Sequence, residues 1–365
     1  MKRILHVFAK LTRGGIETFV MNVYRCIDRT QFQFDFLLTQ KGGEYEDEVR
    51  SMGGQIYYIE PRNKGFVNYS KNLEAFFKEN VDKFYAIHQH APTLTSLEPL
   101  FYAKKYGIKK RIIHAHSSSV SGAKYHYILH FFGKFLVKSL ATNYIACSEK
   151  ARNWLFNYTG ISMQDVLMLN NGIDVSKFSF NSEIRIQKRK ELGVENQVVI
   201  GHVGRFIKVK NHPFLISIFY EYHKLVPNSM LLLVGNGENL NAIKEQVESL
   251  NLTEYVKFLG SRSDVHLLLQ ALDVFIMPSL FEGFPVSLIE VQTSGLLTVI
   301  SDTIAHESKL IDDLHFLSLK KSPKEWANDI FKYQNIHKRI DCSKQIIDKG
   351  FDINMTTKIL ENLYN

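Results

Sequence analysis

The stretch VVIGHVGRFIKVKNHP, residues 198–213, decides the fold class of this chain. Its first part, 198–203, is apolar and rich in β-branched side chains, a pattern typical of a buried strand. Gly204 permits a tight turn directly after this strand, and Pro213 suits the first turn of a helix. The stretch therefore predicts a strand, a polar loop at the carboxyl end of that strand, and a following helix.

The same alternation of strand and helix patterns continues in both directions along the chain. Short apolar or aromatic runs alternate with longer helical patterns almost throughout. The predicted strands are 3–8, 33–38, 55–59, 84–88, 111–114, 143–147, 166–169, 198–203, 230–234, 256–259, 274–277 and 297–300. This order predicts an α/β protein of doubly wound parallel sheets that are covered by helices on both faces.

The pattern restarts near residues 175–197, which divides the chain into two predicted domains. The length of 365 residues also suggests about two domains. We predict a Rossmann-like domain over 1–174, a second over 175–345, and a C-terminal helix within 346–365 that packs back on the first domain. Two such domains would face a central cleft, because ligands of doubly wound sheets bind beyond the carboxyl ends of the strands.

The positive charge of the chain is concentrated in its first half. Residues 1–172 carry 23 Lys and Arg against 14 Asp and Glu, whereas the remainder carries 22 and 23. This excess predicts an anionic partner, for which a membrane surface, a phospholipid-linked substrate and nucleic acid are the candidates. No nucleic-acid recognition motif accompanies the charge, so we expect no nucleic-acid partner.

Residues 124–138 mix aromatic side chains with cations in a predicted helix. This helix follows a basic run, 104–111, and its composition is typical of helices that lie on membrane surfaces. We predict peripheral attachment to an anionic membrane. The alternative is a buried core helix with one solvated edge.

The chain has the sequence features of a cytoplasmic protein, bound at most peripherally to the inner face of the plasma membrane. The apolar run 4–9 is too short for a signal peptide, and no stretch approaches the roughly 18 apolar residues of a membrane span. Cys26, Cys147 and Cys342 fit no zinc or CxxC spacing, and we expect them to be reduced. No feature of the sequence predicts an oligomeric state.

The strongest indication of function is EGFPVSLIE, residues 282–290, which follows the predicted strand 274–277. The helix after this loop should begin near Pro285 or Val286, and its first backbone N–H groups form a site suited to a diphosphate. Glu282 would hydrogen-bond a sugar hydroxyl, and Glu290 would accept from ribose hydroxyls. The alternative is a solvated glutamate beside an ordinary helix cap.

Two cations follow the strand 198–203 in the stretch quoted first. Arg205 offers a planar guanidinium and Lys210 offers a point charge, and both groups are good partners of phosphate. Because their loop lies at the carboxyl end of a strand, we place both cations on a pyrophosphate. The alternative is a solvated basic loop.

These motifs, in this order, resemble the retaining glycosyltransferases of family 4, which have the GT-B fold of two Rossmann-like domains facing a cleft. The resemblance covers nearly the whole chain. It extends over 14–17 (GGIE), 114–117 (HAHS), 146–149 (ACSE), 170–174 (NNGID), 204–205 (GR), 233–238 (LVGNGE) and 282–290. The form Glu-Gly-Phe-Pro is similar to that of capsular and exopolysaccharide enzymes.

The resemblance implies that the second domain binds a nucleotide-sugar and that the first binds an acceptor. The residues implied in donor binding are Gly14, Gly15, Gly204, Arg205, Lys210, Gly235, Arg262, Glu282, Gly283, Phe284, Pro285, Val286, Ser287 and Glu290. The residues implied in catalysis are His116, Arg205, Lys210 and Glu282. His114 is a rival to His116. We expect His6, His88 and His90 to be structural or to face the acceptor.

The reaction implied is the retaining transfer of a hexose or N-acetylhexosamine from a UDP-sugar to a glycan or polyprenyl-diphosphate-linked acceptor. No carboxylate cluster with a plausible metal geometry follows a predicted strand. Asp312 and Asp313 lack a third ligand, and we expect them to be solvated. We therefore expect neither a metal nor a cofactor. Arg205, Lys210 and the helix terminus would neutralise the leaving diphosphate.

Three other functions are alternatives to sugar transfer, and each predicts different features of the protein. A nucleotide-sugar epimerase of the same fold would act without an acceptor. A non-catalytic sugar-nucleotide-binding subunit would not need the charged groups of both motifs. A dinucleotide-dependent oxidoreductase is disfavoured, because residues 9–15, AKLTRGG, contain no GxGxxG after the first strand.

Overall fold

The computed structural model describes residues 1–116 and 125–365. The chain divides into two compact units, one formed by Met1–Gly172 with Ile353–Asn365 and the other by Ile173–Asp352. Ser117 and Lys124, which belong to two of the predicted motifs, lie outside the described residues. Each unit holds one parallel sheet with helices between its strands, which confirms the predicted pair of Rossmann-like α/β folds.

The first unit is built on a seven-stranded sheet of order β3-β2-β1-β4-β5-β6-β7. Its strands are β1 Lys2–Phe8, β2 Phe32–Leu38, β3 Ile56–Tyr58, β4 Ala86–Ala91, β5 Lys110–Ala115, β6 Asn143–Ala146 and β7 Val166–Met168. Its helices are α1 Gly15–Cys26, α2 Glu46–Ser51, α3 Phe66–Asn80, α4 Glu98–Lys105, α5 Tyr125–Leu140, α6 Glu149–Phe156 and, from the C-terminus, α15 Ile353–Tyr364.

The second unit is built on a six-stranded sheet of order β10-β9-β8-β11-β12-β13. Its strands are β8 Val198–Val203, β9 Ser229–Val234, β10 Val256–Gly260, β11 Val274–Met277, β12 Leu297–Ser301 and β13 Leu314–Leu317. Its helices are α7 Val175–Phe178, α8 Ser182–Leu192, α9 His212–Leu225, α10 Leu240–Ser249, α11 Val265–Ala271, α12 Val286–Thr293, α13 Pro323–Ile336 and α14 Ser343–Asp348. The sequence analysis missed β13, because its run Leu314–Leu317 contains a histidine and no β-branched residue.

Both faces of each sheet are buried, as parallel strands require. In β1, Ile4 lies in the core on one face and Leu5 in the core on the other, and both side chains are fully buried. Successive side chains of a strand point to opposite faces, so a strand covered on both sides needs apolar residues at consecutive positions. This explains why the strands of this chain are apolar runs without alternation.

Each strand order reverses direction once, and this reversal locates a crevice at the edge of each sheet. In the first unit the reversal lies between β1 and β4, and in the second it lies between β8 and β11. The loops after the two central strands leave toward opposite sides, which opens a space beyond their carboxyl ends. The motifs 204–210 and 278–285 follow β8 and β11 and therefore flank the crevice of the second unit.

The helix α15 completes the first unit, although the whole second unit, Ile173–Asp352, separates it along the chain from the rest of the first. Leu360 and Tyr364 are buried in the core of the first unit. Lys110 Nζ donates to the Leu363 carbonyl at 2.7 Å, and the Asp28 amide donates to Glu361 Oε1 at 2.9 Å. The last helix of the chain therefore closes one face of the first sheet.

The predicted strand 84–88 is displaced in the structure, where β4 spans Ala86–Ala91. The aromatic pair at 84–85 suggested an earlier start, and the polar run His88-Gln89-His90 suggested an earlier end. The strand continues because its neighbours are long enough to pair with it and because histidines of those neighbours contact His88 and His90. The difference matters, since it places His90 inside the sheet.

Candidate active site

The loops after β8 and β11 are tied together across the crevice of the second unit. Asn211 Nδ2 donates to the Pro278 carbonyl at 3.1 Å, and the Leu280 amide donates to the Val209 carbonyl at 2.8 Å. The two motifs that the sequence placed on one ligand are therefore neighbours. Their relative position is set by hydrogen bonds within the protein, one from the Asn211 side chain and one between backbone groups.

Lys210 and Glu282 meet between these loops. Lys210 Nζ lies 2.7 Å from Glu282 Oε1, and the two side chains are only 15% and 16% exposed. The contact confines a cation suited to phosphate and a carboxylate suited to a hydroxyl within one small space. An incoming diphosphate would compete with Glu282 for the ammonium group and would leave the carboxylate for another donor.

Arg205 lies in the same loop as Lys210 but stands in solvent. Its side chain is exposed and makes no hydrogen bond or ion pair with any residue of 1–116 or 125–365. A guanidinium in this position keeps its five donors for an external anion. The structure thus places both predicted cations at the crevice, one paired and one exposed.

Glycine at position 235 allows the loops after β8 and β9 to touch. Gly235 has a φ of +139°, and a Cβ at this position would lie 2.0 Å from the Gly204 carbonyl oxygen. The Phe206 amide donates to the Asn236 carbonyl at 3.0 Å, which holds the same two loops together. Gly235 therefore supports the backbone around Gly204 and Arg205.

The helix α12 begins at Val286 after Pro285, which confirms the predicted start. Its first turn leaves backbone N–H groups without carbonyl partners in the helix, and such groups attract anions. Phe284 stacks on Phe351, with ring centroids 5.1 Å apart, and so anchors the loop before the helix. A Cβ on Gly283 would meet nothing within 4 Å. The loop before α12 is therefore anchored through Phe284 and leaves open space at Gly283.

Glu290 is the fifth residue of α12 and is half-buried. Its carboxylate has no hydrogen bond or ion pair with any described residue, and burial raises its pKa to about 7. Removal from water without compensation disfavours the charged form of a carboxyl group. A carboxylate that is desolvated yet still reachable is suited to hydrogen bonds from a ligand.

Arg262 differs from the other predicted donor residues, because its guanidinium is already engaged. It follows β10 and contacts Asp264 through two parallel bonds of 2.8 Å each. Its side chain remains 43% exposed. Its role at the nucleotide stays a prediction.

Two histidines beneath the Lys210 loop were not singled out from the sequence. His202 Nδ1 donates to the Ile276 carbonyl at 2.8 Å, so its other nitrogen, Nε2, carries the lone pair. His212 stacks on Phe206 at 4.1 Å, and burial lowers the pKa of both histidines. For His202, a polar residue in an otherwise apolar strand was the available signal, whereas His212 begins α9 and gave no such signal.

The first unit carries a ladder of five histidines on one face of its sheet. His6 comes from β1, His88 and His90 from β4, His114 from β5, and His116 directly follows β5. We call this set the histidine ladder. His114 and His116 face the same side, as expected, with ring centroids 3.9 Å apart. His116 is half-buried, and the other four are buried.

Gly14 and Gly15 lie where the loop after β1 joins α1. Gly14 caps the helix and Gly15 is its first residue. A Cβ on Gly15 would meet nothing within 4 Å, whereas one on Gly14 would lie 2.4 Å from the flexible Glu17 carboxylate. The space in front of Gly15 is compatible with an approaching ligand.

Two groups of three side chains have nitrogens close enough to share a metal ion, within the part of the chain that is described. They are His6, His88 and His90, and His90, His114 and His116. Asp312 and Asp313 do not form such a group. Asp312 is exposed, and the side chain of Asp313 is 37% exposed, with Oδ1 3.3 Å from His337 Nδ1.

Two family models match the two halves of the chain. The model described as Glycosyltransferase Family 4 matches residues 13–177. The model described as Glycosyl transferases group 1 matches residues 183–345. The motifs after β8 and β11 fall in the second match, and the histidine ladder from His88 onward falls in the first.

Three curated relatives are similar over almost their whole length. The putative glycosyltransferase EpsF of Bacillus subtilis is 33% identical, over 100% of this chain and 96% of the relative. The capsular polysaccharide biosynthesis glycosyltransferase CapH of Staphylococcus aureus is 28% identical, over 100% and 99%. The UDP-Gal:alpha-D-GlcNAc-diphosphoundecaprenol alpha-1,3-galactosyltransferase of Escherichia coli is 22% identical, over 99% and 96%.

A solved structure shares the fold over both units. The crystal structure of Alr3699/HepE of Anabaena in complex with UDP-glucose superposes with a TM-score of 0.78. The two chains are 20% identical, and the match covers 100% of this chain and 99% of the other. This likeness establishes the GT-B architecture predicted from the motifs.

Proposed function

The chain belongs to the family 4 glycosyltransferases, and on this premise we propose that it transfers a sugar from a UDP-sugar to a lipid-linked glycan during surface polysaccharide biosynthesis. The Lys210–Glu282 contact at the crevice of the second unit carries the proposal. The names of relatives support its details, since one acts on a diphosphoundecaprenol-linked sugar with UDP-Gal and another serves capsule synthesis. The transferred sugar would be a hexose or an N-acetylhexosamine.

Each part of the donor has a group of matching chemistry in the second unit. Arg205, Lys210 and the first turn of α12 would bind the diphosphate. Glu290 would accept hydrogen bonds from the ribose hydroxyls. Glu282, once Lys210 turns to the phosphate, would accept a hydrogen bond from the transferred sugar. The exposed Arg205 and the unpaired Glu290 support this assignment, because neither has an internal partner among the described residues.

The proposed reaction retains the configuration at the anomeric carbon. The bond between this carbon and the diphosphate oxygen breaks while the acceptor oxygen attacks from the same face. The acceptor proton passes to an oxygen of the leaving diphosphate. Arg205, Lys210 and the helix terminus would stabilise the charge that grows on this leaving group, so that no metal ion is required.

A donor screen tests the proposed function directly. We expect UDP-sugars to raise the melting temperature, because a ligand that binds only the folded state stabilises it. GDP- and ADP-sugars should do so less. Lys210→Ala should lower kcat about 10²–10³-fold, the usual range for loss of one group that stabilises transition-state charge. Near-normal turnover in this variant contradicts the proposal.

The matched control for Lys210 is Lys208, which lies in the same short turn but is exposed. Lys208→Ala should keep most of the turnover. Transfer should also continue in excess EDTA, and NMR of the product should show the anomeric configuration of the donor. A strict requirement for magnesium or manganese would remove the metal-independent mechanism and leave the donor site in place.

The exposed face of α5 suggests where the enzyme meets the acceptor, and we propose that it binds an anionic membrane. The α5 face consists of six apolar side chains, each more than half exposed: Tyr127, Ile128, Phe131, Phe132, Phe135 and Leu136. The opposite side of the helix is packed, with His130 and Val137 buried. The exposed edge of this helix is therefore apolar.

Lysine side chains lie beside this face. Lys104 Nζ donates to the Ser139 carbonyl at 2.8 Å, and Lys138 Nζ donates to the Gly160 carbonyl at 2.6 Å, which holds both near the C-terminal end of α5. In 1–116 and 125–365, the helices are too short or too polar to cross a bilayer. Apolar side chains bordered by lysines favour the surface of an anionic bilayer at the cytoplasmic side.

Vesicle flotation tests the membrane proposal. Wild-type protein should float with vesicles of phosphatidylcholine and phosphatidylglycerol, and less with phosphatidylcholine alone. Phe131→Glu with Phe135→Glu should abolish flotation, whereas Ile186→Glu with Ile336→Glu, which alters exposed side chains of the second unit, should not. A wild-type protein that stays with the bulk solution contradicts the proposal. A dimer that only the α5 variant breaks would assign the face to a second copy instead.

A further inference from the structure

The histidine ladder contains a hydrogen-bonded chain that ends at His116. His6 Nδ1 lies 3.0 Å from His90 Nε2, and His90 Nδ1 lies 2.9 Å from His116 Nε2. These distances are those of N–H···N hydrogen bonds. His90, in the middle, is 8% exposed and uses both of its nitrogens within the chain.

The three hydrogen-bonded imidazoles, those of His6, His90 and His116, are neutral near pH 7. Burial lowers the pKa of His6 and of His116 to about 3, and it lowers the pKa of His90 well below its ordinary value. A neutral imidazole has one N–H and one lone pair. His90 must therefore donate through one nitrogen and accept through the other, and the chain can run in only two directions.

The inner end of the chain favours one direction. His6 is 1% exposed, and its Nε2 has no partner among the described residues. If the chain ran inward from His116, Nε2 of His6 would carry a buried proton without an acceptor, which is costly and rare. If it runs outward from His6, only a lone pair stays unmatched.

We propose that His90 is a positioning residue that donates from Nδ1 to Nε2 of His116 and thereby holds His116 in the Nδ1–H tautomer. His116 then offers an N–H group to its surroundings and has no free lone pair. It would act on the substrate as a hydrogen-bond donor and not as a base. Only this last statement rests on the proposed function, since the tautomer itself follows from the hydrogen-bond chain.

A second series of hydrogen bonds runs beside the first one and provides an internal control. Tyr364 of α15 lies with its hydroxyl 2.7 Å from His88 Nδ1, and His88 Nε2 lies 3.3 Å from His114 Nδ1. The ring of His88 stacks on that of His90, with centroids 4.3 Å apart. The two chains thus share packing, but only the first includes His116. Tyr364→Phe cuts the second chain and leaves the first intact.

Two amide substitutions separate the hydrogen bond to His116 from the packing of His90. The side-chain amide of Asn occupies about the position of Nδ1, so His90→Asn keeps a donor for His116. The longer amide of Gln reaches about the position of Nε2, so His90→Gln keeps the contact with His6 and loses that with His116. We expect His90→Gln to lower kcat about 10–100-fold, by analogy with the loss of a group that orients a metal-bound imidazole, with little change in KM for the donor. His90→Asn should stay within a few-fold of wild type.

The tautomer is measured independently of activity. Long-range 1H–15N correlation spectra of [15N]histidine-labelled protein distinguish Nδ1–H from Nε2–H imidazoles, and the His116 signals are identified by their loss in His116→Asn. The Nδ1–H pattern is expected in wild type, His90→Asn and Tyr364→Phe, and its loss is expected in His90→Gln. This readout stands even if no UDP-sugar is turned over, so failure of the proposed function is recognised separately.

Two results would overturn the proposal. One is an Nε2-protonated His116 in the wild-type protein. The other is an equal loss of kcat in His90→Asn and His90→Gln, since a residue that serves only packing responds alike to both amides.

Discussion

At the scale of single residues, the two glutamates of the EGFPVSLIE motif differ in what compensates their charge. Glu282 has the Lys210 ammonium group 2.7 Å away. Glu290 has no cation or donor among the described residues, and burial raises its pKa to about 7. An uncompensated carboxylate lowers stability, and groups with strongly shifted pKa values concentrate at functional sites. Glu290 is therefore a candidate for contact with a ligand.

Glu290→Gln should stabilise the second unit at pH 8 but not at pH 4. The folded pKa of about 7 exceeds the ordinary value of 4.5, so the cost of charging Glu290 is absent below pH 4.5 and complete above pH 7. One pKa unit is worth about 1.4 kcal/mol, and partial exposure reduces the total, so we expect a gain of about 1–3 kcal/mol at pH 8. Urea unfolding in a Trp154→Phe background measures it, because Trp326 then reports on the second unit alone.

The exposed Glu254 of the same unit serves as the control for Glu290. Glu254→Gln should change the free energy of unfolding little at either pH. Glu290→Gln should also weaken UDP binding if the carboxylate holds the ribose. A Glu290→Gln variant that is no more stable at pH 8 than at pH 4, relative to wild type, would show that the carboxylate is compensated in the folded protein.

At the scale of elements, the candidate site depends on loops that follow four parallel strands. The loops after β8 and β11 are joined by two hydrogen bonds, and the loop after β9 touches the loop after β8 at Gly235. The Gly235 amide also donates to the Gly260 carbonyl at the end of β10, at 2.8 Å. Gly235 therefore joins three loops, and a change there should disturb the donor site without touching a ligand.

Gly235→Ala should destabilise the second unit and weaken donor binding. The φ of +139° is unfavourable for any residue with a Cβ, and that Cβ would lie 2.0 Å from a carbonyl oxygen that cannot turn away. Backbone strain of this kind costs about 1–3 kcal/mol. Gly283→Ala is the control for stability, because its Cβ would meet nothing within 4 Å. Equal unfolding midpoints in urea for the two variants would contradict this account.

At the scale of the whole molecule, the first unit is formed by two segments that are separated in sequence by the second unit. The first unit takes its last helix, α15, from the C-terminus. This helix supplies Tyr364 to the histidine ladder and Leu360 to the core beneath it. The first sheet therefore lacks part of its cover until α15 packs against it.

Leu360→Ala should destabilise the first unit by about 2–5 kcal/mol, the usual cost of deleting a large buried side chain. Leu360 is 1% exposed, whereas its neighbour Ile359 is 38% exposed. Ile359→Ala should therefore cost less than about 1 kcal/mol. Hydrogen exchange of peptides from β1 measures the loss of stability in both variants, since β1 lies in the first unit. Similar protection in the two variants would mean that α15 does not support that sheet.

Much of the fold and the members of the candidate site could be predicted before any coordinates. Apolar runs mark strands because both faces of a parallel sheet are buried, and twelve of the thirteen strands were recognised in this way. Glycines and charges directly after such runs mark the carboxyl edge. The sequence could not show how these groups are paired. Lys210 and Glu282 are 72 positions apart, and the residues next to each of them do not indicate its partner.

The sequence by itself determined the α/β class, the placement of Arg205, Lys210 and Glu282 in loops after strands, and the placement of Glu290 on the following helix, because periodicity and turn residues act over a few neighbouring positions. Only the tertiary structure decided that Lys210 meets Glu282, that Glu290 lacks a partner within residues 1–116 and 125–365, and that His90 joins His6 to His116. His6 and His90 are separated by 84 positions and become neighbours through the strand order alone. Burial and hydrogen-bond partners are properties of that order, and they set the charge and tautomer of each group.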